Sequence, residues 1–147
     1  MGKWDEAQAE VSAVIRLAAT CICGSDLWPY RGISQTAEPT PMGHEYVGIV
    51  EEVGIEITTI KPGEFVIGSF FASDNTCEIC QAGYESFCLN RVGIGSEGAQ
   101  AELMRVPLAD GTLVATPDVP ADERLKALAG TMRTGLSKRS LFFPSAW

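Results

Sequence analysis

The sequence is poor in histidine, with one in 147 residues, and short of basic side chains: 11 Lys and Arg stand against 19 Asp and Glu, a net charge of −8. That balance disfavours nonspecific attraction to nucleic acid or to an anionic membrane, so neither is expected as a partner. No apolar run approaches the roughly 20 residues of a membrane span, and the start, Met1-Gly2-Lys3-Trp4-Asp5-Glu6, lacks the apolar stretch of a signal peptide. Cytoplasm is the expected compartment. The five cysteines are odd in number and sit at short spacings. In a reducing compartment that favours metal or free thiols over a disulfide framework. No internal repeat or low-complexity segment is evident.

What is present is the composition of an ordinary globular chain, 46% hydrophobic and 20% charged, with enough length for one core. Residues 11–20 alternate, with Val11, Ala13, Ile15, Leu17 and Ala19 on one side, which suits a strand, although an Ala-rich helix is the alternative. Pro29, Gly32, Pro39 and Pro41 make residues 27–42 a long irregular loop. Strands are expected at 46–53 and 65–70, the second after a type II turn at Lys61-Pro62-Gly63-Glu64. Two more are expected at 99–106 and 112–116, joined by a turn at Asp110-Gly111. Short strands joined by turns point to a β-rich barrel or sandwich. After Pro120 the composition becomes helical over 121–132, with Asp122 and Glu123 suited to a first turn.

The residues that carry chemistry are the lone His44, in Gly43-His44-Glu45, the tetrad Cys23-Gly24-Ser25-Asp26, and the thiols Cys77, Cys80 and Cys88. Thiolate and imidazole suit Zn²⁺, and two protein ligands from separate loops leave room for a third ligand and a substrate oxygen. Taken alone, His44 reads more readily as a hydrogen-bonded structural histidine, and Cys21 as a small buried hydrophobe. Gly93-Ile94-Gly95-Ser96-Glu97-Gly98 has the spelling of a dinucleotide fingerprint. It lacks the preceding buried strand and following helix that such a site needs, and it is not read as one.

Several ordered motifs together resemble the zinc-dependent alcohol dehydrogenases of the medium-chain dehydrogenase/reductase family. They are Ala19-Thr20-Cys21-Ile22-Cys23-Gly24-Ser25-Asp26-Leu27, Gly43-His44-Glu45-Tyr46-Val47-Gly48, Val53-Gly54, Lys61-Pro62-Gly63-Glu64-Phe65-Val66 and the cysteine lobe, within residues 11–135. The resemblance implies a mainly β, GroES-like β-barrel with short helices, without the Rossmann domain. It implies a zinc-binding catalytic domain over 1–120, with a structural zinc lobe at about 74–88, and a helical linker remnant and divergent tail over 121–147. It further implies NAD(P)-linked interconversion of a small alcohol and its aldehyde.

Residue by residue, Cys23 and His44 match the family's first two catalytic zinc ligands, and Ser25 matches the hydroxyl that takes the alcohol proton. Asp26 and Glu45 are acidic neighbours of the ligands, suited to orienting the imidazole and tuning the metal. Cys77, Cys80 and Cys88 match three ligands of the structural zinc, with Asp74 in the place of the fourth; a carboxylate oxygen can ligate zinc there. The segment 93–98 corresponds to the barrel's glycine-rich hairpin. Trp28, Tyr30 and Phe70 are candidates for a pocket wall or for plain packing.

The chain departs from the family in four places. Gly130 stands where relatives with a Thr134-Gly135 segment carry an acid, so zinc held by Cys23 and His44 alone would be weak unless Glu45, Asp26 or a neighbouring molecule completes the site. The opening strands are replaced by a polar stub, which invites a homo-oligomer through an exposed barrel edge. Residues 136–147 do not resemble the family, and the nicotinamide-binding domain lies beyond this chain. A premature terminus or frameshift is therefore expected, with little turnover by the chain alone; a noncatalytic zinc or interaction module is the other reading.

Overall fold

The structure is a computed structural model that describes residues 9–34, 38–94 and 98–121. The helix expected at 121–132, the linker and tail over 121–147, and Gly130 lie outside those residues, save for Ala121. Among the described residues the fold is mainly β, as expected. Strands β1 (Ala13–Cys21), β2 (Glu45–Val53) and β3 (Phe65–Gly68) join β6 (Leu103–Val106) and β7 (Leu113–Ala115) in a five-stranded sheet of order β6-β1-β2-β3-β7. β4 (Phe71–Ala72) and β5 (Val92–Gly93) form a separate two-stranded pair, and every pairing is antiparallel.

The alternation read from residues 11–20 resolves into two faces rather than one. Leu17 pairs with Gly48 and Ala19 with Val47, so Ala18 is an extra residue on β1. Such a bulge reverses the parity of the side chains beyond it. Ala13, Ile15 and Leu17 accordingly pack in the main core with Tyr46, Val50, Met104 and Val106. Ala19 and Cys21 turn to a second cluster with Val47, Phe65 and Ile67. Cys21 is thus half-buried at the strand's end, and burial, then the nearby Glu45 carboxylate, push its thiol pKa up.

The turn at residues 61–64 is as expected: Gly63 has φ +90°, and the Glu64 N–H donates to the Lys61 carbonyl at 3.2 Å. Elsewhere the elements differ from the sequence expectation. The strand expected at 65–70 stops at Gly68, where the Tyr46 ring lies against the glycine and leaves no room for a Cβ. The strand expected at 99–106 is confined to Leu103–Val106, and the Ala99 and Gln100 N–H groups instead bond to the carbonyls of Gly43 and Met42. The turn expected at Asp110-Gly111 is present as a helical turn, Ala109–Thr112. Asp110 turns its carboxylate to the loop before β3, accepting hydrogen bonds from the N–H and hydroxyl groups of both Thr58 and Thr59. The long 27–42 segment, which follows a 3-10 turn at Gly24–Asp26, opens with a helical turn at Leu27–Tyr30 rather than as irregular chain.

Candidate metal centres

β1 and β2 place the first group of ligand atoms. Cys23 lies two residues beyond the end of β1, Glu45 is the first residue of β2, and Cys21 faces Glu45 across the ladder. The pairing therefore brings Cys23, His44 and Glu45 to one end of the sheet, with one ligand atom of each within 4.8 Å of the others. Glu45 is buried at 4% exposure and the other two are half-buried.

Asp26 organises the group from behind. At 7% exposure, it accepts the Cys23 N–H at 2.8 Å through Oδ2 and lies 3.1 Å from His44 Nδ1 through Oδ1. A proton on Nδ1 shared with this carboxylate leaves the Nε2 lone pair free for a metal. Ser25 Oγ lies 3.3 Å from Nε2. The two acids expected as similar neighbours thus differ in placement: Asp26 contacts both Cys23 and His44, while a Glu45 carboxylate oxygen lies within the cluster itself.

These residues border a cavity of about 390 Å³ lined by Cys23, Ser25, His44, Glu45, Phe70, Phe71 and Gly93. The Phe70 and Phe71 rings pack tilted at 43° with centroids 4.3 Å apart, and the Arg91 guanidinium lies over the Phe71 ring at 5.0 Å. Phe70 is on this wall, as expected for one of three aromatics. Trp28 and Tyr30 are not; they are largely exposed, and Tyr30 borders a neighbouring cleft with Ser25, Asp26 and His44. A sulfur, an imidazole and a carboxylate beside an open cavity form a donor set that fits a catalytic zinc, which takes three protein ligands and keeps a position for water or substrate.

The second group is Asp74, Cys77, Cys80 and Cys88, again with ligand atoms within 4.8 Å of one another. Cys77 precedes a helical turn, Glu78–Gln81, that contains Cys80, and Cys88 follows a 3-10 turn, Glu85–Phe87, so two short turns fold the lobe on itself. The Cys77 and Cys88 sulfurs are 4.0 Å apart. That is far from the ~2.05 Å of a disulfide. It is close to the S···S edge of about 3.8 Å that two Zn–S bonds of ~2.3 Å subtend at a tetrahedral metal.

Asp74 Oδ1 lies 3.4 Å from the Cys88 sulfur and accepts the N–H groups of Thr76 and Cys77, while Oδ2 accepts from Asn90 Nδ2. The Asn90 amide, then the Thr76 N–H, hold the Asp74 carboxyl below the usual carboxylate range despite partial burial. The thiols diverge. Burial pushes Cys80 up, whereas the N–H groups of Leu89 and Cys80 pull Cys77 down. A closed set of three sulfurs and an anionic oxygen fits a structural zinc.

Sequence reasoning missed the segment that braces the first centre. The Ala99 and Gln100 N–H groups donate to the Gly43 and Met42 carbonyls, both at 2.9 Å, and Gln100 Nε2 reaches Thr20 Oγ1 at 3.0 Å and the Cys21 carbonyl at 3.2 Å. Asn90 was missed too; its only sequence signal is a polar amide two residues after Cys88. Of the glycine-rich run, Gly93 lies in β5 and Ile94 is buried, and residues 95–97 fall outside the described set.

A β-rich domain with a sulfur–imidazole–carboxylate cluster at a cavity and a separate four-ligand lobe has the organisation of a zinc-type oxidoreductase's catalytic domain. Comparison with known proteins makes this specific: the chain belongs to the alcohol dehydrogenase GroES-like domain family, which matches residues 9–118. It is 38% identical over 125 residues to the zinc-type alcohol dehydrogenase B of Aspergillus flavus, covering 83% of this chain and 29% of that protein. It is 39% identical over 132 residues to a medium chain reductase/dehydrogenase of an Acremonium species, covering 87% and 45%.

Among solved structures, alcohol dehydrogenase TADH from Thermus sp. ATN1 superposes with a TM-score of 0.72 at 34% identity, over 82% of this chain and 37% of that one. Zinc dependent alcohol dehydrogenase 2 from Streptococcus pneumonia gives 0.64 at 40% identity, over 77% and 33%. The chain therefore spans less than half the length of the relatives it matches. Among the described residues no helix is long and apolar enough to cross a membrane.

Proposed function

We propose that residues 1–120 form the zinc-binding catalytic domain of an NAD(P)-linked alcohol dehydrogenase, acting on a small alcohol or aldehyde. The observation that carries this reading is the gathering of Cys23, His44 and Glu45 at the mouth of a cavity, with Asp26 tying Cys23 to His44. Cys23, His44 Nε2 and Glu45 would hold zinc there, and Asp74, Cys77, Cys80 and Cys88 would hold a second, structural zinc. Zinc at the first centre supplies Lewis acidity to a substrate oxygen.

Around that oxygen this chain's residues have separate tasks. Ser25 takes the alcohol proton from its place beside His44 Nε2. Asp26 keeps the imidazole in the tautomer that leaves Nε2 open. Phe70 and Phe71 cover the carbon skeleton and keep water from the reacting carbon. NAD(P)⁺, when bound, would supply the hydride acceptor, so that oxidation of an alcohol to its carbonyl would balance reduction of the nicotinamide and release of one proton. No nucleotide cradle is assigned to the described residues, and the 147-residue chain by itself is expected to turn over little alcohol.

Five free thiols among the described residues suit a reducing cytoplasm. β6 ends the sheet among those residues, and its outer edge is proposed as the contact of a homo-oligomer; a monomer by light scattering would dismiss that contact. The functional reading is tested by titrating the zinc-loaded chain with NAD(H) and an alcohol series. Alcohol protection of the Cys23 thiol from alkylation supports it. Robust zinc-dependent NAD reduction by this chain overturns the expected inactivity, and alkylation of Cys23 indifferent to both zinc and alcohol overturns the site.

A further inference from the structure

The segment 98–100 touches both stretches of chain that lead into Cys23 and His44. From Gln100, the backbone N–H holds the Met42 carbonyl at 2.9 Å, two residues before His44, and the side-chain amide holds Thr20 Oγ1 at 3.0 Å and the Cys21 carbonyl at 3.2 Å, two residues before Cys23. Ala99 adds a backbone bond to the Gly43 carbonyl at 2.9 Å. Gly43 makes this approach possible. Its φ is +98°, and a Cβ there would meet the Gln100 nitrogen and Cγ at 3.0 Å. Gly98, with φ +77°, sits against the Pro41 ring and has no space for a side chain either.

We propose that Gln100 is a positioning residue for the Cys23–His44–Glu45 centre, setting the separation of Cys23 from His44 by joining the segments that precede them. The proposal rests on the zinc reading of that centre. The β1–β2 ladder fixes Cys21 against Glu45, but Cys23 lies beyond its last pair and His44 precedes its first residue. Both ligands therefore stand on backbone that the ladder does not hold. The Gln100 amide is the described side chain that bonds to the end of β1 while its own backbone bonds to the His44 loop. A ligand pair held at a fixed spacing before metal arrives binds it without first ordering two loops, and partners outside the ligand shell are typically worth 10–100-fold in metal affinity.

The test is chelator competition on the zinc-loaded full chain, comparing wild type with Gln100→Met, which keeps the side chain's length and loses its N–H donors, and Gln100→Lys, which restores a donor. Cys23→Ser identifies which class of zinc belongs to this centre. Gln100→Met is expected to weaken the Cys23-dependent zinc by roughly tenfold or more. The Cys80-dependent zinc and the thermal midpoint of the metal-free chain should stay unchanged, and Gln100→Lys should recover part of the loss. Wild-type affinity in Gln100→Met overturns the proposal. So does an equal weakening of both zinc classes with a lowered midpoint, which marks a general structural role. If Cys23→Ser loses no zinc, the zinc reading itself falls and carries the proposal with it.

Discussion

His44 Nδ1 lies 3.1 Å from Asp26 Oδ1, and the other oxygen of the same buried carboxylate takes the Cys23 N–H. One side chain thus fixes the orientation of an imidazole and the backbone of a thiol that come from different parts of the chain. Asp26→Ala removes both constraints at once. It is expected to weaken zinc at the Cys23 centre by 10–100-fold, roughly, and to leave the Cys80 lobe loaded. Chelator competition with zinc counted per chain checks this, and equal retention at both centres would show that Asp26 is not an orienting group.

Asp74 brings an oxygen to a lobe otherwise made of sulfur, and Asn90 anchors it. Asp74→Ala should lose the lobe zinc, and Asp74→Cys should retain it against chelator at least as well as wild type, because a fourth thiolate is a stronger zinc ligand. Asn90→Ala is expected to fall between wild type and Asp74→Ala. Cobalt substitution gives a direct reading: sulfur-to-cobalt charge-transfer absorption should rise in Asp74→Cys, and an unchanged spectrum would place Asp74 outside the coordination shell.

Gly68 is pressed against the Tyr46 ring, one of the largest fully buried side chains. Gly68→Ala forces a methyl into occupied space and should destabilise the fold by ~1–3 kcal/mol in denaturant titration. A smaller change would mean that Tyr46 can shift despite its hydroxyl bond to the Ser69 carbonyl.

Asp110 gives a pH-dependent contribution. Burial raises its pKa, but the N–H and hydroxyl groups of Thr59 and Thr58 together outweigh it and hold the carboxyl below its ordinary value. A depressed carboxyl pKa adds stability above the unfolded-state value of about 3.9, and that stability is lost as pH falls through the lower folded value. Asp110→Asn should therefore be less stable than wild type at pH 7, by about 1 kcal/mol. The difference should begin to shrink below about pH 4 and close only once the pH is under the lower folded value. A gap that is undiminished at pH 2 would mean that shape, not charge, ties the loop at Thr58 and Thr59 to the helical turn.

Much of the candidate site was legible because its residue types occur together in ordered motifs: His44 alone suggests a structural histidine, but with Cys23 and the clustered thiols it makes a donor set that suits zinc. The ladder pairing Cys21 with Glu45 then brings together what the chain separates. Three things were hidden. The bulge at Ala18 has no composition signal, so one expected face became two. The roles of Asp26 and Glu45 could not be told apart, since each adjoins a ligand and only the turn at Gly24–Asp26 decides which carboxylate faces His44 Nδ1. Gln100 is far from both ligands in sequence, and its part is written in hydrogen bonds to Thr20, Cys21 and Met42, none of which has a local pattern.

Metal analysis per folded chain, on protein purified with zinc and passed through a weak chelator, tests the two-centre organisation most directly. Wild type should carry two zinc ions, and Cys23→Ser and Cys80→Ser one each, with the remaining ion assigned by which thiols stay protected from alkylation. A wild-type chain with one zinc that Cys23→Ser leaves in place would contradict a metal at the Cys23–His44–Glu45 centre, and with it the catalytic reading of this domain.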